Sequence, residues 1–334
     1  MTRSLRVGII GLGVGEQHLI GYQKLANVTV TDICDIDPIK LKAVGDRNNI
    51  SNRHQSYKGV TENPDIDIVS IASYDDGHAQ QAISAFNNGK HVMMEKPIAL
   101  NRKEAETILR AQQDSGKKFS SNLILRQSPR FRQLKNWIND GEFGEIVTIE
   151  GDYLHQILWK LTKGWRGNMD FYCVAYGGGI HMIDLMRWLV QKEISEVSGM
   201  SNKILTQGST FKFDDTIVNL LKFENGTIGR STSNFGAQRP QFHSLSVFGT
   251  KKTYINDLPY AKLFHGETND DLEIIKTPYP GIEKFDLLPD FISAIRENRE
   301  PEVSVVDIFR VMDVCFACFD SLEAKRIEPV SYLI

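Results

Sequence analysis

The chain has 334 residues, 41% of them hydrophobic and 24% charged, with a formal net charge of -3. That length suits two domains and buries a substantial core without disulfides or metal. The balance is that of an ordinary globular protein, and nothing in it calls for a polyanionic partner, so no nucleic acid is expected.

The chain enters on a strand, Leu5-Arg6-Val7-Gly8-Ile9-Ile10, with no charged leader and apolar segment before it. No apolar run approaches the ~20 residues that span a bilayer. The expected location is therefore the cytoplasm, with no membrane partner. Gly11-Leu12-Gly13-Val14-Gly15 follows, and a helix is expected from about Glu16 to Ala26. Val28–Cys34 is β-branched and strand-like, and Pro38 opens the next helix. Ile66–Ala72 is a third strand, followed by a helix to about Asn88 and a stop at Gly89. His91-Val92-Met93-Met94 is a fourth strand, ending at Glu95-Lys96-Pro97. Asn101 caps another helix, with Glu104 as its capping-box partner. Repeated strand–helix–strand order implies a parallel sheet with helices on both faces, an α/β Rossmann domain over residues 1–122.

After residue 122 the texture changes. Strand-like runs dominate between Glu145 and Leu263, with turns at Glu224-Asn225-Gly226 and Phe248-Gly249-Thr250. Asn225-Gly226 between two apolar runs is a hairpin signal. Residues 123–334 are therefore expected to form an α+β domain with a large open, mostly antiparallel sheet. It ends in an amphipathic helix, Val305–Arg326, which is expected to pack towards the first domain. Cys315 and Cys318 make a CxxC, but both fall on that helix's apolar stripe with Val311, Phe319 and Leu322. Core packing outweighs a redox or zinc reading, and no metal is expected.

The glycine loop after the first strand is the context a dinucleotide fingerprint requires. Gly11 permits the tight turn, and Gly13 lets backbone approach a pyrophosphate. Val14 and the helix start add free N–H groups and a positive dipole end. The third glycine is expected one residue later, at Glu16, so Gly15 is assigned its role in a shortened turn. Asp35 follows the second strand where an acid would accept from the ribose hydroxyls. It would also repel a 2′-phosphate, and no arginine follows it, so NAD is favoured over NADP. The alternative is that Asp35 caps the helix at Pro38, for which Asp37 is better placed. Lys96 stands at the carboxyl end of a parallel strand, where open α/β sheets bind ligands. A lysine there can hydrogen-bond a substrate hydroxyl and relay its proton.

Gly89-Lys90-His91-Val92-Met93-Met94-Glu95-Lys96-Pro97 resembles the signature of the Gfo/Idh/MocA oxidoreductases. Gly177-Gly178-Gly179-Ile180-His181-Met182-Ile183-Asp184 resembles that family's glycine-rich turn and His-x-x-Asp helix. Gly164-Trp165-Arg166 is similar to a Trp-Arg pair that contacts cofactor in several members; a surface arginine stacked on a packing tryptophan is the alternative. Asn122-Leu123-Ile124-Leu125-Arg126 is similar to the strand that opens the family's substrate domain. The resemblance covers nearly the whole chain.

It implies an NAD(H)-dependent oxidoreductase that moves a hydride at a hydroxyl or carbonyl carbon of a sugar, sugar derivative or polyol. Lys96 and His181 would be its acid/base pair. Ser73, Tyr74 and Glu95 would line the cofactor with Trp165 and Arg166. Arg126, Tyr153, His155 and Asp184 would join Lys96 at the substrate. Many members carry an aspartate four residues before the histidine, a position that is Gly177 here; Tyr153, His155 or Tyr176 could compensate. His78 is left outside the catalytic set. The family also implies a homodimer or homotetramer paired through the open sheet face. Two rival activities stay open: NAD-dependent oxidation, elimination and reduction at a glycoside, and a catalytically inactive dinucleotide-sensing protein.

Overall fold

The computed structural model describes residues 3–334, which divide into two compact units. One unit runs to Ile124 and takes in Glu283–Phe309; the other holds Leu125–Ile282 and Arg310–Ile334. The sequence reading divides the chain once, near residue 122, and sends only the last helix back towards the first unit; the structure puts Glu283–Phe309, with the first turn of that helix, in the first unit and the helix from Arg310 on in the second.

In the first unit the elements alternate as β1 (Leu5–Ile10), α1 (Gly15–Gln23), β2 (Val28–Cys34), α2 (Pro38–Arg47), β3 (Asn52–His54) and α3 (Lys58–Thr61). They continue as β4 (Ile68–Ile71), α4 (His78–Asn87), β5 (His91–Met94), α5 (Arg102–Ser115) and β6 (Phe119–Ser121). All six strands pair in parallel, in the order β3-β2-β1-β4-β5-β6. The four residues of β4 are all buried, as expected for a strand with helices on both sides of its sheet. Strand order reverses between β1 and β4, and the crevice at their carboxyl ends is where such sheets take ligands. The capping box is present: Asn101 accepts from the Glu104 N–H at 2.9 Å, while Glu104 reaches back to the Leu100 N–H at 2.8 Å.

Two expectations change. Helix α1 ends at Gln23, three residues short of Ala26. Residues 122–126 are not a strand: after β6 the chain makes a single 3₁₀ turn over Ile124–Gln127. Asn122 there is drawn inwards by its amide, which donates to Glu95 and to the Lys284 carbonyl.

The second unit continues with α6 (Pro129–Asn139), β7 (Ile146–Leu154), α7 (Leu158–Thr162), α8 (Ile180–Val190) and β8 (Ile194–Asn202). Strands β9 (Thr216–Phe223), β10 (Ile228–Asn234), β11 (Phe242–Gly249), β12 (Thr253–Asn256), β13 (Ala261–Phe264) and β14 (Leu272–Ile275) follow. The chain then runs through α9 (Leu288–Glu297), α10 (Val305–Ala324) and β15 (Glu328–Pro329). Nine strands form one sheet, β14-β13-β12-β11-β7-β10-β9-β8-β15, antiparallel except where β10 lies parallel to β7. The Asn225-Gly226 hairpin joins β9 to β10, with Gly226 at φ +89°. Helix α8 lies close on β7: a Cβ at Gly151 would meet the Met182 Cε at 3.0 Å. The opposite face carries Leu220 and Ile228 exposed. Helix α10 ends two residues before Arg326. Cys315 and Cys318 are free and fully buried in it, as core packing requires. No helix among the described residues is long and apolar enough to cross a membrane.

Candidate active site

One group of candidate residues lies in the first unit, at the carboxyl ends of β1, β2, β4 and β5. Gly11 has φ +84°, and a Cβ on it would lie 2.5 Å from both the Ala72 carbonyl oxygen and the Ser73 nitrogen. Only glycine lets the end of β1 approach the end of β4 so closely. Gly13 differs, for a Cβ there would meet nothing within 4 Å. Its backbone and that of Val14 are exposed, and no side chain caps the start of α1. That is an open cradle of backbone at a helix N-terminus, the form that fits a pyrophosphate. Gly15 lets α1 sit close on the sheet: a Cβ on it would lie 3.0 Å from the Ile9 Cγ2. Glu16, in the expected place of the third glycine, turns outward to Arg47 and Asn48. The Arg47 guanidinium holds its carboxyl below the usual range.

Asp35 and Asp37 divide the work at the end of β2. Asp37 caps α2, accepting from the N–H groups of Ile39 and Lys40. Asp35 accepts from the Leu12 N–H at 2.8 Å and the Asp37 N–H at 2.9 Å, so it ties the glycine loop to the start of α2. Lys40 Nζ, a cation five residues on in the chain, stands 3.3 Å from its Oδ2. Ser73 hydrogen-bonds Gln81, and Tyr74 beside it is exposed.

Glu95 and Lys96 follow β5, both partly exposed, and the Lys96-Pro97 peptide is cis. Behind Glu95 lies a buried polar network that sequence reasoning missed. His18 Nε2 donates to Glu95 Oε1 at 3.2 Å, and its Nδ1 pairs with Ser70 Oγ at 2.9 Å. The Asn122 amide donates to the same carboxylate oxygen at 2.7 Å. Burial would raise the Glu95 carboxyl, but His18, then Lys96 and Asn122, hold it well below the usual carboxylate range. A charge-assisted cluster of this kind fixes the segment that carries Lys96. Its sequence signals are faint: one serine inside an apolar strand and one histidine on the buried side of α1. His78 closes the segment from the other side, its Nδ1 2.7 Å from the Pro97 carbonyl oxygen. Its place is structural, as the sequence reading left it.

A second group of candidate residues lies in the other unit. The run Gly177–Gly179 is not a turn: it lies in a π-helical stretch, Ala175–Gly179, that runs directly into α8. The glycines are required by closeness. A Cβ at Gly178 would lie 2.6 Å from both Tyr153 and Phe235, one at Gly179 would strike Ser233, and one at Gly177 would strike the Tyr172 hydroxyl. A wide turn inside a helix is frequent at functional sites.

His181 is 7% exposed and stacked on Tyr153, with ring centroids 6.2 Å apart and planes 19° from parallel. Tyr153 Oη is 3.2 Å from His155 Nδ1, and burial pushes its phenol up to about 12. His243, which the sequence reading did not single out, completes the cluster 6.3 Å from His181 and bonds Tyr279 Oη at 2.7 Å.

Arg126 and Asp184 come together as a bidentate ion pair, Nε–Oδ2 2.9 Å and Nη2–Oδ1 2.5 Å, with side chains only 3% and 1% exposed. The Arg166 guanidinium lies over the Trp165 ring at 4.2 Å, and its Nε donates to Tyr172 Oη at 3.0 Å. Tyr176 is buried against Phe171 and Phe316, and burial raises its phenol well above the usual value. Among the described residues no group of His, Cys, Asp or Glu could hold a metal ion.

Comparison with known proteins finds a match in each unit. Residues 5–123 match the model of an oxidoreductase family with an NAD-binding Rossmann fold, and residues 131–255 match the GFO/IDH/MocA C-terminal domain. An uncharacterised oxidoreductase of Bacillus subtilis is 27% identical over 259 residues, 75% of this chain and 73% of that protein. An inositol 2-dehydrogenase/D-chiro-inositol 3-dehydrogenase of Lactiplantibacillus plantarum is 26% identical over 225 residues, 66% of this chain and 62% of that enzyme. A levoglucosan dehydrogenase in complex with NADH has the same fold, with a TM-score of 0.87 over 98% of this chain and 100% of that one at 22% identity. The two matched segments take in most of the chain, and it belongs to the Gfo/Idh/MocA family of NAD-binding oxidoreductases.

Proposed function

We propose that this protein is a dehydrogenase that moves a hydride at a hydroxyl or carbonyl carbon of a sugar, sugar derivative or polyol, with Lys96 and His181 as its acid/base pair. The observation that carries the reading is Lys96 itself. It sits at the end of β5, beside the strand-order reversal, on a segment braced by Glu95, His18 and Asn122. The names of relatives, an inositol dehydrogenase and a levoglucosan dehydrogenase, support a polyhydroxylated substrate.

NAD, when bound, accepts or returns the hydride. Gly13, Val14 and the start of α1 would hold its pyrophosphate, Asp35 its ribose hydroxyls, and Ser73, Tyr74, Glu95, Trp165 and Arg166 the remainder. Lys96 hydrogen-bonds the substrate hydroxyl and takes its proton as the carbon is oxidised; in reduction it gives the proton back. His181 holds a neighbouring hydroxyl or shares that proton transfer. Tyr153 orients the imidazole by stacking, and His155 extends the same polar wall. Arg126 and Asp184 act as a buried brace for α8 rather than as separate substrate ligands. The exposed apolar residues on the outer sheet face support pairing of subunits into a homodimer or homotetramer through it.

Calorimetry with NAD and NADP, followed by a screen of polyols and sugars for NADH production, tests the reading. NAD should bind more tightly than NADP, and Asp35→Ala should weaken NAD by about tenfold or more. Lys96→Ala should keep NAD affinity and lose about 10²–10⁴-fold in turnover. Folded protein that binds neither dinucleotide, or a Lys96→Ala enzyme that turns over normally, would overturn it.

A further inference from the structure

Position 177 stands about one helical turn ahead of His181, so a side chain there would share the histidine's face, with Cβ atoms about 5–6 Å apart. Gly177 provides none. Its place is filled from elsewhere: a Cβ on it would overlap the Tyr172 hydroxyl and lie 2.8 Å from Tyr172 Cζ. Tyr172 is 2% exposed, its ring edge-on to Phe211 and Phe235 at 6.1 and 6.3 Å. Packing of that kind asks only for a ring, and phenylalanine would serve. The hydroxyl is nonetheless used, because Arg166 Nε donates to it at 3.0 Å. A phenol that accepts from an arginine still carries its own proton to donate.

We propose that Tyr172 is a positioning residue for hydride transfer: its hydroxyl, fixed by Arg166, is the polar group beside His181 in place of a side chain at 177. It sets a neutral oxygen where an acidic side chain would set a charge. This rests on His181 being an acid/base residue, as read above. The rings against His181 come from two elements, Tyr153 on β7 and His243 on β11; Asp184, three residues on in α8, is paired with Arg126. Arg166 is in turn held on the Trp165 ring, so the hydroxyl links the Trp165–Arg166 segment to the helix start that carries His181.

Two variants test this. Tyr172→Phe keeps the ring and removes the oxygen; Tyr172→Ala/Gly177→Asp removes the obstruction and puts a carboxylate at 177. The His181 ring signal, assigned with His181→Gln, is titrated by NMR without substrate, and turnover is measured with NAD and the best polyol. In the double variant the His181 midpoint should rise by about one pH unit, since a neighbouring carboxylate favours the imidazolium. Its turnover should exceed that of Tyr172→Ala alone by about tenfold. Tyr172→Phe should lose about tenfold in kcat with KM for NAD within about twofold and an unchanged melting temperature.

A His181 midpoint unmoved in the folded double variant, or a Tyr172→Phe enzyme with wild-type kcat, would overturn the proposal. If the double variant does not fold, Tyr172→Phe decides, because its packing is kept. A wild-type protein that shows no NAD-linked turnover sinks the dehydrogenase reading instead, and the titration then judges Tyr172 alone.

Discussion

Gly11 and Gly13, two residues apart in one loop, are glycine for different reasons, and substitution separates them. An alanine at Gly11 meets the backbone of Ala72 and Ser73 and must hold φ near +84°. Backbone cannot move aside as a flexible side chain can, so Gly11→Ala should cost about 1–3 kcal/mol and lower the melting temperature. Gly13 faces open space, so Gly13→Val should fold with an unchanged melting temperature yet weaken NAD about tenfold or more, because the new side chain occupies the pyrophosphate's approach. Thermal unfolding and calorimetry on the two variants read the contrast; a Gly13→Val protein that binds NAD normally would place the pyrophosphate elsewhere. The loop and the acid were legible in the sequence because they are local: glycines directly after a strand, an acid at the end of the next. Tyr172 was not, because only the fold brings its hydroxyl against Gly177; His18 was not, because its partner lies far along the chain. His18 meets Glu95 77 residues later.

At the scale of elements, strands were legible where apolar residues dictate them and obscure where pairing does. β2 and β5 fall where their β-branched and apolar runs put them. β3, Asn52-Arg53-His54, carries no hydrophobic pattern; it exists because β2 offers it an edge, and His54 Nε2 reaches Asp32 at 2.8 Å. Residues 122–126 show the reverse: they read as a strand, but polar bonds from Asn122 and Arg126 bend the chain away. Arg126 lies in that turn and grips Asp184 on α8, so one buried ion pair ties the entry of the second unit to the helix that carries His181. Breaking it from one side takes the bidentate cation away from a buried carboxylate. Arg126→Met should therefore cost about 3–5 kcal/mol in urea unfolding, whereas Arg126→Met/Asp184→Leu should recover most of that loss. Equal losses in both variants would show that packing, and not the uncompensated charge, sets the cost.

For the molecule as a whole, class and topology follow from the order of its elements, but the path of the chain does not. Residues 283–309 return to the first unit, where the Lys284 carbonyl accepts from Asn122 and Arg296 reaches the carbonyls of Ala26 and Asn27. Periodicity describes one element at a time and holds no record of such closures. The stability of the folded chain should also carry a pH signature from one residue at the start of β5. Burial, with the Lys117 charge adding to it, holds the His91 imidazole down at about 4. Its Nδ1 accepts the Lys118 N–H at 3.0 Å, a bond that a proton on that nitrogen would abolish. In the unfolded chain the ring titrates near ~6.5. Between those two values the unfolded state binds the extra proton, so the contribution is fully present above about pH 6.5 and drains away as pH falls towards 4, by up to about 1.4 kcal/mol per pH unit. Urea unfolding of the wild type and His91→Gln at pH 7.5 and 5.5 isolates it. The wild type should lose about 1 kcal/mol more than the variant between the two pH values. An identical loss in both would mean that the ring is already protonated in the folded state, and that the Lys118 hydrogen bond does not fix its neutral form.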